Sequence, residues 1–190
     1  MKRGIHLMRR SIILLGVAVT MLPILASAQM VKPSFGPELA KLSFIVGHFT
    51  TVTHIMMGDN TSEGAGTIKA HWGLDSMFVM FASQETNAGL GSYKGFGVLG
   101  YNSADQKYML TMFNNFGDRP EYKGTFAGDT LVMTGKVENP QGAFDQELKW
   151  FKDGDAVRLQ VYNDFGQGYT IIVDQKAKPS NDTTKLEQAK

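Results

Sequence analysis

The chain has 190 residues, 19 basic and 18 acidic side chains, 21 glycines and no cysteine. Without cysteine it holds no disulfide, no thiol nucleophile and no lipid-modified cysteine, and must be stabilised by packing alone. The near-neutral balance lacks the basic excess that a nucleic-acid partner calls for.

Lys2, Arg3, Arg9 and Arg10 precede an apolar stretch from Ile12 to Leu25, and Ala26-Ser27-Ala28 gives the small-x-small pattern cut by signal peptidase. We expect a signal peptide over residues 1–28 and a periplasmic or secreted mature protein beginning at Gln29. The apolar stretch is shorter than the ~20 residues of a spanning helix and is broken by Pro23, so no integral membrane span is expected after processing. Met8-Arg9-Arg10 also makes a complete basic leader, which leaves the start at Met1 or Met8 open. Processing leaves 15 basic against 18 acidic residues, a net charge of −3.

Residues 29–35 read as a linker and residues 177–190 as a disordered polar tail, leaving one domain over 36–176. It opens with a short helix: Pro37 in the first position, Glu38 in the first turn, Lys41 late, and Leu39, Leu42 and Ile45 on one side. Short runs of alternating apolar and polar residues follow, separated by Gly-containing turns. They predict ten strands: 49–57, 64–72, 77–84, 94–101, 107–113, 121–126, 131–137, 144–151, 156–163 and 169–176.

Two hairpins test the reading. A Gly128-Asp129 turn sets Phe126 opposite Leu131, Gly124 opposite Met133 and Tyr122 over Gly135, with Glu121 meeting Lys136 on the other face. An Asp153-Gly154 turn sets Trp150 opposite Val157, Leu148 opposite Leu159 and Gln146 opposite Val161, with Lys149 beside Arg158 on the solvent face. Each register segregates an apolar from a polar face, which a one-residue slip would destroy. A sheet with one apolar face and no long helix to cover it must curl or stack on another sheet. We expect an all-β, antiparallel up-and-down barrel, with a two-sheet sandwich as the alternative.

Gly95-Phe96-Gly97-Val98-Leu99-Gly100 matches G-x-G-x-x-G but continues as a strand. The glycines therefore read as sites of bending or close approach rather than a nucleotide fingerprint. His48 and His54 lie too far apart on one strand to share a metal, and His54-Ile55-Met56-Met57 reads as a solvent-facing histidine beside core methionines. No nucleophile motif appears, so no catalytic residue, metal site or cofactor is assigned.

Leu42-Ser43-Phe44-Ile45-Val46-Gly47-His48-Phe49 resembles the L-x-x-L-x-G-x-W opening of an uncharacterised bacterial family, domain of unknown function 1579, grouped with lipocalin-like barrels. Gly97 to Asn102, Lys107-Tyr108, Asn115-Phe116-Gly117 and Gly124 to Leu131 continue the pattern. The chain departs from it with Phe49 in place of Trp and Asn102 in place of Asp. The resemblance implies a calycin-type barrel and supplies no established activity. The related haem-binding nitrobindins use a histidine late in the chain, and none follows His71 here, so haem is not carried over.

These readings predict a barrel that binds a small apolar or amphipathic molecule. The expected interior lining is Phe49, Trp72, Phe81, Phe96, Met112, Tyr122, Met133, Gln146, Trp150 and Tyr169, with the Gln146 amide fixing orientation. An enzyme using His54, His71 or Tyr93 at the barrel mouth is one alternative. An assembly protein with Phe78 and Ile172 outward is another, and self-association is left open.

Overall fold

In a computed structural model the described residues are 35–180 except 90, 140 and 141. The expected leader, the start of the linker and the tail from residue 181 lie outside them. Among the described residues no helix is long and apolar enough to cross a membrane.

Ten antiparallel strands run in sequence: β1 Gly47–Met57, β2 Asn60–Gly73, β3 Phe78–Asn87, β4 Gly91–Asn102, β5 Lys107–Asn114, β6 Glu121–Ala127, β7 Thr130–Asn139, β8 Gly142–Asp153, β9 Ala156–Asp164 and β10 Thr170–Pro179. Each pairs with its neighbours in sequence, and β10 returns to β1 with Phe49 opposite Pro179 and Ile55 opposite Val173. The sheet is therefore a closed barrel without a free edge, and the sandwich alternative is excluded. β10 extends three residues past the expected end at 176, because Ala177 is an inward position buried opposite Thr51.

Turn chemistry sets the registers. Gly58-Asp59, Gly128-Asp129 and Gly154-Asp155 each form a two-residue connection whose glycine has positive φ, as such hairpins require. The β6–β7 register agrees with the sequence reading at every pair named above. The β8–β9 register is displaced by two residues, because the turn centres on Gly154-Asp155 rather than Asp153-Gly154. Trp150 faces Leu159, Leu148 faces Val161, and Gln146 faces Asn163. A two-residue shift preserves which side chains point inward. It also removes the expected Lys149–Arg158 contact: Lys149 pairs with Glu147 at 2.9 Å, while Arg158 binds Asp174 through Nε at 2.7 Å.

The two ends of the barrel differ. A single helical turn, α1 (Pro37–Ala40), and a 3-10 turn over Lys41–Ile45 close one end and bury Leu39, Leu42 and Ile45. The Tyr108 hydroxyl fastens this plug from β5, donating to the Glu38 carbonyl at 2.9 Å and to its carboxylate at 2.7 Å. Above it lies a solid layer in which Val79, Leu99, Leu110, Leu131 and Met133 are essentially inaccessible to water. Toward the other end the inward positions of β2, β3 and β4 change from apolar to glycine and polar residues, those of β8 to β10 stay mostly apolar, and the interior opens.

Candidate functional site

Inward alternation along β1 and β3 places Thr51 and Thr53 on one strand and Ser83, Glu85 and Asn87 on the other. The residues facing Glu85 and Asn87 on β2 are Gly66 and Gly64, and glycines 95 and 97 take the inward positions on β4. Glycine at these positions lets neighbours approach closely: Phe81 packs over Gly97, Tyr93 and Ser83 over Gly95, and Glu85 and Asn87 over Gly64. Two adjoining interior spaces lie within the barrel, sharing Tyr93, Met112, Leu159 and Gln175 in their walls. The smaller, of ≈ 90 Å³, lies beside the solid layer against Phe49, Phe81 and Trp150. The larger, of ≈ 320 Å³, reaches the open end, where the β5–β6 loop contributes Phe116, Asp118 and Pro120.

The walls of the larger cavity are mostly apolar, including Ile55, Phe144, Leu148, Val161 and Val173, with two polar clusters. In the first, Glu85 is 9 % exposed, and its Oε2 accepts a hydrogen bond from the Thr53 hydroxyl at 2.6 Å and another from the Gln175 amide at 2.9 Å. In the second, the Gln146 side chain accepts from the Tyr122 hydroxyl and donates to Asn163 Oδ1 at 2.7 Å. Both tyrosine hydroxyls in the wall are pushed above their ordinary pKa, chiefly by burial. The Glu85 and Asp118 carboxylates add to this at Tyr93, and Tyr93 and Asp118 add to it at Tyr122. Both tyrosines therefore stay neutral donors well into alkali.

Of the lining expected from sequence, Met112, Tyr122 and Gln146 face the larger cavity, and Phe49, Phe81, Met112 and Trp150 the smaller. Met133 and Trp72 also point inward, but Met133 belongs to the solid layer and Trp72 stacks edge-on against Phe35 at the plugged end. Two positions are corrected. Phe96 faces outward, 38 % exposed and 6.5 Å from the Phe113 ring. The inward slot beside it at Gly97 is occupied by Phe81, whose Cζ would lie 2.3 Å from any Cβ there. Tyr169 precedes β10 in a loop and is 47 % exposed.

His54 and His71 lie on the outer wall, His54 Nδ1 being 4.0 Å from Glu63, whereas Tyr93 is inside. Phe78 faces outward as expected. Ile172 instead lines the cavity, because a β-bulge between Ile171 and Val173 turns it inward. The alternation of β3, continued past its predicted end at Gln84 to Asn87, reveals Glu85 and Asn87 as inward. Gln175 lies within the predicted 169–176 strand, at an inward position.

A family model described as "Protein of unknown function (DUF1579)" matches residues 35–171. No curated protein matches this sequence. Among solved structures, Rv2717c from M. tuberculosis has a TM-score of 0.57 at 14% identity, covering 77% of this chain and 99% of that one. A de novo designed fluorescence-activating β-barrel has a TM-score of 0.38 at 10% identity, covering 73% of this chain and 95% of the design.

Proposed function

The chain belongs to the DUF1579 family of proteins of unknown function, and we propose from its geometry that it binds a small apolar or amphipathic molecule inside the barrel. The observation that carries this reading is the ≈ 320 Å³ cavity at the unplugged end. Its volume is at the lower end of the roughly 300–1,000 Å³ of small-molecule sites, and its apolar wall with a few convergent polar groups has their usual composition. Phe144, Val161 and Val173 supply desolvation and shape, and the Gln146 and Glu85 clusters supply orientation. The basic, apolar and small-residue leader over residues 1–28 supports action in the periplasm or outside the cell.

An enzymatic reading draws less support, because His54 and His71 do not share a compartment with Tyr93. Native mass spectrometry of gently purified protein, together with the fluorescence of Trp72 and Trp150 during titration with a panel of neutral and charged lipids, tests the binding reading. A co-purifying small molecule, or a saturable change in tryptophan emission, is the expected result. Absence of both would refute it.

A further inference from the structure

The binding reading leaves open the chemistry of the ligand's polar end, which the charges of the larger cavity narrow. The side-chain donors to Glu85 Oε2, the Thr53 hydroxyl and the Gln175 amide, are both neutral. Neutral donors hold a carboxylate in place without neutralising it, and a buried charge without a counter-charge is unfavourable. Asp118 adds a second carboxylate, bonded to the Asn114 amide at 3.2 Å. Among the described residues no Lys, Arg or His lines this space.

The other polar groups of the wall, among them Gln146, Asn163 and Gln175, are neutral, and aromatic rings stand beside them. Tyr93, Tyr122 and Phe144 line the wall, and the Phe116 ring lies 6.0 Å from that of Tyr93. Ring faces attract ammonium groups, most strongly where water is excluded. The Tyr93 hydroxyl is pushed above its ordinary pKa first by burial and then by the Glu85 and Asp118 carboxylates.

We propose that the cavity selects amphipathic cations, molecules with an amine or quaternary ammonium head on an apolar body. The head lies against Glu85 among the aromatic rings, and the body against Leu148, Val161 and Val173. Anionic amphipaths of the same length meet two carboxylates and no cation, and are excluded by like charge. This inference rests on the binding reading.

The test is calorimetric titration of the purified protein with octylamine, octanol and octanoate, which share an apolar body and differ in head group. Octylamine should bind at least about tenfold more tightly than octanoate, with octanol between them. Glu85→Gln, which keeps the side-chain shape, should lower the octylamine-to-octanol affinity ratio about tenfold. Octanol or octanoate binding as tightly as octylamine, or an unchanged ratio in a folded variant, overturns the inference and leaves the binding reading standing. Binding of none of the three overturns both. The wild-type comparison decides even if the variant fails to fold.

Discussion

Replacing Gln146 by Leu separates two roles for the interior polar groups. The substitution keeps the approximate volume but removes the acceptor of the Tyr122 hydroxyl and the donor to Asn163 Oδ1, on residues only 2 % and 6 % exposed. Each stranded buried group costs about 1–3 kcal/mol. The apolar leucine returns about 1 kcal/mol, and the adjoining cavity admits water, so the net expected loss is about 2 kcal/mol. For a domain of this size that lowers Tm by roughly 4–8 °C. Tyr122→Phe removes one stranded group in advance, so the double variant should be less destabilised than the sum of the single variants by about 1 kcal/mol. Urea unfolding followed by tryptophan fluorescence measures all four proteins. A Gln146→Leu loss below about 0.5 kcal/mol, or strict additivity of the pair, would show that water already satisfies these groups and would refute the argued network.

The other predictions concern the outer wall, the tyrosines and the glycines. Arg158 holds the Asp174 carboxyl below its ordinary pKa, so this pair stabilises the fold at pH above about 4 and the contribution disappears as pH falls through the lowered value. Asp174→Asn should cost about 1 kcal/mol at neutral pH, given the pair's partial exposure. It should also flatten the acid limb of the stability curve, and an unchanged limb argues against the assignment. Tyr93, Tyr108 and Tyr122 have pKa values raised by burial, so they favour the folded state most below pH ~10 and that contribution is lost as pH rises beyond it. A spectrophotometric titration should resolve phenols that ionise late, and a single transition near the ordinary tyrosine value would contradict this. Gly97→Val should destabilise by about 2–3 kcal/mol, because Phe81 already fills the inward slot. Phe81→Leu should partly rescue it, and wild-type stability for the valine variant would be inconsistent with the packing described.

Sequence resolved the barrel because its determinants are local. Each Gly-Asp turn fixes a hairpin, and period-two alternation then assigns faces along Tyr122 to Leu131 or Leu148 to Trp150 without tertiary information. The cavity was less legible because it arises where alternation loses its apolar label. On β4 the residues Gly95 to Gly100 offer apolar side chains on both faces, and only the cross-strand position of Phe81 decides that glycine points in and Phe96 out. Gln146 stood out as a polar residue among apolar neighbours. Its partner Asn163 was hidden by the two-residue difference in turn position. Glu85 reads as a surface charge until β3 is extended far enough for its parity to count. Ile172 required the bulge in β10, for which the local sequence carries no turn residue.

The interior as a compartment for a small molecule is tested most directly by a crystal structure of the protein soaked with a bromine-tagged octanol. The predicted result is an anomalous bromine peak inside the barrel, among Tyr93, Phe144 and Val173. A peak confined to the outer wall near Phe96 and Phe113, or an interior closed by side chains, would contradict it.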